Sequence, residues 1–351
     1  MSGSSVIRVS LRAVPVYEPG ETACPVDLRD NVNLWGAPPH AIAVLHQAAA
    51  DTLAQYPRVS AGALASRIAD HCGVATDEVA VGCGSDDLID SACRAFAEPG
   101  MRIALPAPSF SMVPIFARLN GLEPVACPLT SDGSADVDAM LAAKARIIYL
   151  CSPNNPTGTV TPPEAVDRLL RESDALVIFD GAYAEFAPEL ADFRREAPSR
   201  QRLLVLRTFS KAWGLAGLRV GYAVGAADVI RALRQANGPY KVNALAERAA
   251  CAALDADGGW MRQHAAAAVA CRDRATAELR TLGLSPLRSC GNFVSVPVRD
   301  AQALAARIAA RGVAVRAFSN LPVYGDLIRA GVGPWPLMEQ FLSAVRAAVA
   351  S

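Results

Sequence analysis

The chain has 351 residues, of which 52% are hydrophobic and 19% are charged. It is long enough for one large and one small domain, and its apolar content argues against a disordered protein. Lys and Arg together number 34, as do Asp and Glu. The net charge is therefore close to zero, which does not favour binding to nucleic acid or to an anionic membrane surface. We expect the partners to be small molecules or further copies of the chain.

The cysteines and histidines do not follow the spacing of a metal site or a disulfide framework. The nine cysteines are dispersed without a C-x-x-C pair, and the four histidines lack metal-ligand spacing, which is typical of buried thiols in a reducing compartment. The first residues, MSGSSVIRVSLRAV, lack the apolar segment of a secretory signal. The alanine-rich run from Ala265 to Cys271 is far shorter than the ~20 residues of a membrane span. We therefore expect a cytoplasmic protein with no metal and no membrane segment.

From about residue 41 onward, helical and strand patterns alternate. The stretches AIAVLHQAAADTLAQY and ALASRIADHCG have helical spacing of their apolar residues. Short apolar runs follow, separated by patterns such as DDLIDSACRAFAEPG and PPEAVDRLLRES; these runs are VAVGCG, RIALP, RIIYLCS, ALVIFD, LLVLRTFS and RVGYAVG. Continuous apolar runs suit strands that helices cover on both faces. The pattern predicts an α/β domain over residues 41–258, with a mainly parallel, doubly wound sheet that binds its ligand at the carboxyl ends of the strands.

A second group of elements begins near residue 259. It comprises a helix, the strand NFVSVPV, the helix AQALAARIAARG, the strands VAVRAF and LIRAGVG, and the helix PLMEQFLSAVRAAVA. This order predicts a small α+β domain over residues 259–351. We expect residues 1–40 to form an N-terminal segment that joins this small domain.

Polar and aromatic residues follow several predicted strands, where a ligand of the sheet would lie. Gly84, Ser85 and Asp86 open a helix, where backbone N–H groups favour a phosphate; an ordinary capped turn would use the same residues. Phe110 follows RIALP and suits either a planar ring or the core. Asn155 lies in the loop SPNNPTG, whose two prolines would hold its side-chain donor in a defined position.

Two further strand ends carry charged side chains. Asp180 ends the run LVIF and is followed closely by Tyr183. A carboxylate in this position needs a positive partner, unless it serves as the N-cap of the next helix. Lys211 follows LLVLRTFS, and Schiff-base chemistry requires such a lysine, partly desolvated and close to cationic groups that lower its pKa. Ser210 and Arg219 flank it and are suited to binding phosphate.

Together, these segments resemble the fold-type-I enzymes that use pyridoxal 5′-phosphate (PLP), in particular the histidinol-phosphate aminotransferase-like group of the class I and II aminotransferases. The most specific segments are SPNNPTG and TFSKAWGLAGLRVGY, and GCGSDDLI adds support. The resemblance extends from NVNLWGAPP to LIRAGVG, nearly the whole chain. It implies an aminotransferase that takes a small amino acid or an amino alcohol phosphate as amino donor and a 2-oxo acid as acceptor.

The resemblance also implies a role for each candidate residue. Lys211 would form the Schiff base with PLP and then carry a proton between the substrate Cα and the cofactor C4′. Asp180 would pair with the pyridine nitrogen. The other implied contacts are Asn155 and Tyr183 at the ring hydroxyl, Phe110 on the ring face, and Gly84, Ser85, Asp86, Thr208, Ser210 and Arg219 around the phosphate.

A shared active site and a substrate pocket are implied as well. Tyr56 resembles the tyrosine that reaches the phosphate from the neighbouring subunit, which implies a homodimer. Arg329 resembles the arginine that binds an anionic group of the substrate, usually its α-carboxylate. Asn33 and Gly36 fall in the N-terminal segment that closes over the substrate.

Three segments depart from the family pattern, and all three concern the substrate. The family often has Asn-Glu-Asn-Pro near the N-terminus, Glu-Ala-Tyr after the aspartate and a less bulky segment after the arginine. This chain has Asn31-Val32-Asn33-Leu34, Gly181-Ala182-Tyr183 and Gly333-Pro334-Trp335-Pro336. The acidic contact to a cationic or imidazole substrate is therefore missing at Val32.

Two alternatives to transamination follow from the same sequence. PLP also supports decarboxylation, elimination and cyclisation, and the sequence does not determine which bond is broken. The less acidic N-terminal segment also resembles that of related enzymes that decarboxylate a phosphorylated threonine. A ligand-sensing regulator on this fold would need a DNA-binding helix-turn-helix module, for which residues 1–40 are too few and too rich in proline.

Overall fold

The computed structural model describes residues 23–48 and 50–350, together with residues 6–8, 11, 12, 14 and 16. The described residues form twelve strands: β1 (Val26–Asp27), β2 (Val79–Gly82), β3 (Arg102–Ala107), β4 (Glu123–Pro128), β5 (Ile147–Cys151), β6 (Leu176–Asp180), β7 (Leu203–Thr208), β8 (Gly221–Val224), β9 (Phe293–Val298), β10 (Val313–Ala314), β11 (Arg316–Leu321) and β12 (Gly325–Gly331). They also form twelve α-helices: α1 (Pro39–His46), α2 (Ala50–Ala54), α3 (Gly62–Cys72), α4 (Gly84–Phe96), α5 (Val113–Leu119), α6 (Val137–Ala142), α7 (Pro163–Glu172), α8 (Ala227–Asn237), α9 (Ala244–Ala256), α10 (Gly258–Thr281), α11 (Ala301–Ala309) and α12 (Trp335–Val349). None of these helices is long and apolar enough to cross a membrane.

Strands β2 to β8 form one sheet in the order β2-β8-β7-β6-β5-β3-β4. All neighbouring pairs are parallel except those of β8, which runs antiparallel to β2 and β7. Alternate residues of the central strands belong to two separate buried clusters, with Ile148 and Leu150 in one and Ile147 and Tyr149 in the other. The central strands are apolar throughout because both faces are covered. The predicted α/β class with a mainly parallel, doubly wound sheet is confirmed.

Two elements differ from the sequence prediction for this part of the chain. Strand β4 is not predicted, because Glu123, Pro124 and Pro128 interrupt its apolar run. It lies at the edge of the sheet, where prolines are tolerated. The single helix predicted over AIAVLHQAAADTLAQY is instead the two helices α1 and α2, and α1 ends where Gln47 leaves helical geometry.

The remaining strands form two small sheets. β9, β11 and β12 are antiparallel in the order β11-β12-β9, whereas β10 pairs in parallel with β1. The predicted strand VAVRAF is therefore two strands, which Val315 separates. A third buried cluster packs α11 and α12 against these sheets. Helix α10 contacts both α9 and α12, and the division into domains at residues 40 and 258 stays a prediction.

Candidate active site

A cavity of about 400 Å³ lies at the carboxyl ends of β5, β6 and β7. The N-terminal segment around Asp30 and the strands β11 and β12 also contribute to its wall. Most of the residues expected from the sequence line it, namely Ser85, Asp86, Phe110, Asn155, Asp180, Tyr183, Thr208, Ser210, Lys211, Arg219 and Arg329. Parallel strands bring these distant residues together because their carboxyl ends meet at one edge of the sheet.

Lys211 lies three residues beyond β7 and points its amine into the cavity. Its Nζ donates a hydrogen bond to the carbonyl oxygen of Asp30 at 2.9 Å and lies 5.7 Å from the centre of the Tyr183 ring. Burial, followed by the positive charge of Arg329, lowers the pKa of Lys211 to about 8. A useful fraction of this amine is therefore neutral near pH 7, as a nucleophile or a general base requires.

Asp180 is the last residue of β6 and is almost completely buried. Its Oδ1 accepts a hydrogen bond from the backbone N–H of Ala182 at 3.0 Å, and its Oδ2 accepts one from the hydroxyl of Tyr149 at 2.7 Å. Burial raises the pKa of Asp180 to about 6, although the Tyr149 hydroxyl opposes this rise. The N-cap alternative is not met, because the N-cap of the next helical turn, Ala184–Phe186, is Tyr183 and not Asp180.

Tyr183 and Asn155 both reach the cavity from loops that follow neighbouring strands. The hydroxyl of Tyr183 accepts a hydrogen bond from Nδ2 of Asn31 at 3.3 Å, and burial raises the pKa of Tyr183. The side-chain oxygen of Asn155 accepts a hydrogen bond from Nη1 of Arg329. Tyr183 therefore remains a neutral phenol, able to donate a hydrogen bond to a ligand in the cavity.

A group of hydroxyls and one guanidinium lies around the start of α4. The Thr208 hydroxyl donates to Oγ of Ser210 at 2.9 Å, and Nη1 of Arg219 donates to the same oxygen at 3.2 Å. Nη2 of Arg219 lies 3.3 Å from Oδ2 of Asp86. These donors, with the helix start at Ser85, can hold a phosphate group.

Glycines allow the backbone to come close at this point. A Cβ atom at Gly221 would lie 2.5 Å from the backbone of Gly84 and Ser85, and one at Gly84 would lie 2.7 Å from Nη2 of Arg219. Strand β8 can therefore pack directly beneath the start of α4. Gly84 does not itself line the cavity but leaves space for the Arg219 side chain.

Arg329, on β12, is 6% exposed and reaches the cavity from the side opposite the large sheet. Its Nη1 donates to Asn155, and its Nη2 donates to the carbonyl oxygen of Arg29. The guanidinium carbon lies 5.7 Å from the ring centre of Phe293 and 5.5 Å from that of Phe318. Such a fixed guanidinium can bind a carboxylate through two parallel hydrogen bonds.

Besides Gly84, three expected site residues do not line the cavity of the single chain. Asn33 binds the backbone beside Lys211, since its Nδ2 donates to the carbonyl oxygen of Ala212 at 2.9 Å. The carbonyl oxygen of Gly36 packs closely on Gly214, since a Cβ atom at Gly214 would lie only 2.3 Å from that oxygen. Tyr56 is 85% exposed and stacks on Tyr240, with ring centres 5.0 Å apart. The roles expected for these residues stay predictions.

Several cavity residues were not expected from the sequence. Asp30 and Asn31 come from the N-terminal segment, and Arg316 and Phe318 come from β11. Arg316 forms an ion pair with Asp30 at 2.7 Å. The side-chain oxygen of Asn31 is buried without a hydrogen-bond partner among the described residues. The sequence could have indicated the two residues of β11, because Arg316 and Phe318 are two positions apart in a strand and therefore share one face.

Gly181, one of the departures from the family pattern, has a structural explanation in Arg207. Arg207 is 2% exposed, and its Nη1 donates to the carbonyl oxygen of Gly181 at 2.7 Å. A Cβ at Gly181 would lie only 2.1 Å from that nitrogen. The Arg207 guanidinium thus occupies the space of a side chain at position 181. Val32 and Trp335, in the other two departures, do not line the cavity.

The chain is similar to known proteins over nearly its whole length. A model of the family "Aminotransferase class I and II" matches residues 25–345. An aromatic amino acid aminotransferase of Corynebacterium glutamicum is 37% identical, with 89% of this chain and 92% of that protein covered. Histidinol-phosphate aminotransferase 2 of Pseudomonas fluorescens is 37% identical, with 84% of this chain and 81% of that protein covered. The crystal structure of histidinol-phosphate aminotransferase from Sinorhizobium meliloti in complex with pyridoxal 5′-phosphate superposes with a TM-score of 0.89 at 25% identity and covers 99% of both chains.

Proposed function

The chain belongs to the class I and II aminotransferases and is a PLP-dependent enzyme of fold type I; from this premise we propose that its amino donor is an aromatic amino acid. As an aminotransferase, it exchanges an amino group between an amino acid and a 2-oxo acid. The observation that carries the substrate proposal is the position of Arg329, a buried guanidinium suited to a carboxylate, beside the Phe318 ring at the cavity wall. Relatives named aromatic amino acid aminotransferases give further support.

The chemistry of the cavity fits PLP at both ends. Asp180 is a buried carboxylate that contacts no cationic side chain in the described part of the chain. A protonated pyridine nitrogen would offset the cost of its burial. Elsewhere in the cavity, Ser210 and Arg219 supply the donors that a phosphate needs.

Each polar group has a task in the proposed site. When bound, PLP supplies an aldehyde for the amino group and a ring that accepts the electron pair released at the substrate Cα. Lys211 would hold the cofactor covalently and, once free, take the proton from the substrate Cα. Asp180 would keep its negative charge against the ring nitrogen, while Tyr183 and Asn155 would donate to the ring hydroxyl and Phe110 would cover one ring face.

The substrate would be oriented from the side of the small sheet. Arg329 would bind the α-carboxylate, which fixes the Cα–H bond relative to Lys211. Phe318 and Met112 line the same cavity and would exclude water from an aromatic side chain.

Histidinol phosphate is a second candidate because Arg316 also lines the cavity and could bind its phosphate. However, Arg316 is already paired with Asp30 at 2.7 Å. A phosphate would have to compete with that carboxylate, which favours an uncharged aromatic side chain at this position.

A single-turnover experiment tests both the reaction and the substrate. The PLP-loaded enzyme is mixed with phenylalanine, tyrosine, tryptophan or histidinol phosphate without an acceptor, and the 2-oxo acid or aldehyde product is quantified. We expect an aromatic 2-oxo acid in an amount equal to the bound cofactor, with further turnover only after a 2-oxo acid acceptor is added. Continued turnover without acceptor, with release of carbon dioxide or ammonia, would favour a decarboxylase or lyase. A faster reaction with histidinol phosphate would overturn the aromatic proposal alone.

The same proposal includes a homodimer in which Tyr56 reaches the phosphate site of the partner subunit. Its support is the exposed Tyr56–Tyr240 stack, since large exposed aromatic surfaces often mark interfaces. Differently tagged Lys211→Ala and Tyr56→Ala chains, co-expressed and purified as the mixed dimer, provide the test. If Tyr56 acts on the partner, one of the two sites has both native residues and activity returns. If it acts within its own chain, the mixed dimer is as inactive as the parent dimers.

We also propose that the protein is located in the cytoplasm. All nine cysteines lie in the described part of the chain and are free, which suits a reducing compartment.

A further inference from the structure

Tyr149 lies beneath the cavity in the middle of β5. It is completely buried, and its hydroxyl donates a hydrogen bond to Oδ2 of Asp180 at 2.7 Å. The register of β5 and β6 pairs Cys151 with Asp180 and Tyr149 with Ile178. The tyrosine therefore lies one strand away and two positions back, from where its ring reaches along the sheet to the carboxylate.

This contact completes a two-point attachment of the Asp180 carboxylate. The backbone N–H of Ala182 holds Oδ1 at 3.0 Å, and the Tyr149 hydroxyl holds Oδ2. Because the two donors approach different oxygens, they fix the rotation of the carboxyl group as well as its position. Neither donor carries a charge, so the negative charge remains available to a cationic ligand.

We propose that Tyr149 is a positioning residue, whose hydroxyl keeps the Asp180 carboxylate ionised and oriented toward the ring nitrogen of the cofactor. This inference rests on the role proposed for Asp180. Tyr149 would then take part in the reaction, although its position in the apolar run of β5 does not indicate such a role.

The charges around Asp180 agree with this role. Burial raises the pKa of Asp180 to about 6, and the Tyr149 hydrogen bond acts against the rise. Burial and the neighbouring Asp180 raise the pKa of Tyr149 well above its ordinary value, so the phenol remains a donor. The other groups that face Asp180 are Asp86 on α4, Arg207 on β7, Cys151 on β5 and Tyr183 beyond β6. Without the tyrosine hydroxyl, more of Asp180 would be protonated near neutral pH.

Tyr149→Phe removes the hydroxyl alone, and Tyr222→Phe provides a matched control. Tyr222, on β8 of the same sheet, is 2% exposed, and its hydroxyl accepts a hydrogen bond from Nη1 of Arg194 at 2.8 Å. Both variants lose one buried hydroxyl, but only the first affects Asp180.

The measurement is the dissociation constant of pyridoxamine 5′-phosphate, followed by fluorescence titration across a range of pH. This probe has the ring nitrogen and the phosphate but no aldehyde, so Lys211 cannot bind it covalently. For Tyr149→Phe, we expect affinity close to the native value well above pH 6, and a loss that grows to about tenfold as the pH falls. The reason is that the variant must ionise a carboxyl of higher pKa before it can pair with the ring nitrogen. Tyr222→Phe should follow the native curve.

Asp180→Asn, alone and combined with Tyr149→Phe, separates this inference from the proposed role of Asp180. If Tyr149 acts through Asp180, its replacement has no further effect on affinity once Asp180 is an asparagine. An equal loss in both backgrounds, or a loss independent of pH, would overturn the inference. Unchanged affinity in Asp180→Asn itself would instead contradict the role proposed for Asp180.

Discussion

Replacement of Arg329 by methionine or by lysine tests the proposed carboxylate site. The guanidinium is almost fully buried on β12 and is held by the side chain of Asn155 and the carbonyl oxygen of Arg29. Methionine keeps most of the side-chain volume but removes charge and donors. Lysine keeps the positive charge but lacks the planar pair of donors that matches a carboxylate.

The size of the effect follows from the burial of this contact. Loss of one partner of a buried, hydrogen-bonded charge pair costs about 2–5 kcal/mol. A value of about 3 kcal/mol in transition-state binding corresponds to a fall of roughly 100-fold in kcat/KM for Arg329→Met. We expect a smaller fall, about tenfold, for Arg329→Lys, because a point charge remains near the carboxylate.

The assay compares each amino acid with the amine that lacks its carboxylate, for example phenylalanine with phenethylamine. If Arg329 binds the carboxylate, both substitutions lower kcat/KM for the amino acid but do not lower it for the much slower reaction of the amine. Equal falls for the two substrates would refute this reasoning, since the residue would then act on the fold or on the cofactor. A parallel measurement of cofactor affinity shows whether the substitution acts on the cofactor, because the affinity would then fall as well.

Two other predictions concern residues that follow strands of the large sheet. Burial and the charge of Arg329 hold the pKa of Lys211 near 8, and only the neutral amine attacks an aldehyde. The rate at which the cofactor-free protein captures PLP, followed by absorbance, should therefore rise as the pH passes through about 8. Arg329→Met should move this midpoint to higher pH, whereas Arg329→Lys should leave it in place; an unmoved midpoint in the methionine variant would contradict the electrostatic coupling. Gly181→Ala should lower the free energy of unfolding by about 2–3 kcal/mol in urea titrations, because the new Cβ displaces the buried Arg207 guanidinium from the Gly181 carbonyl. Gly259→Ala, where a Cβ meets no atom within 4 Å, is the control and should be nearly neutral.

The part of the site that was predictable from the sequence is the part built on parallel strand ends. Asn155, Asp180 and Lys211 each follow an apolar run, and the rule that such ends share one edge of the sheet was enough to bring them together. Ser210 and Arg219 were predicted from the same segment because they flank Lys211. Local pattern and sheet geometry carry this information without any knowledge of long-range packing.

The unpredicted residues depend on contacts that no local pattern encodes. Asp30 and Asn31 reach the cavity because β1 pairs with β10 nearly 300 positions away in the chain. Tyr149 has the sequence signature of a core strand residue, and its polar contact arises only from the register between β5 and β6. Strand β4 was missed for a related reason, since an edge strand with two prolines lacks the apolar run that identifies its central neighbours.

The two perturbed groups of the site are also linked through the substrate. Burial moves the pKa of Asp180 up to about 6 and that of Lys211 down to about 8, so both charges respond to what binds beside them. A cationic ring nitrogen favours the ionised form of Asp180. A carboxylate bound to Arg329 cancels part of the positive charge that lowers the pKa of Lys211, and thereby makes the amine a stronger base. The lysine would thus become a stronger base when a substrate Cα–H bond lies within its reach. An amine that lacks the carboxylate could not cause this rise in basicity.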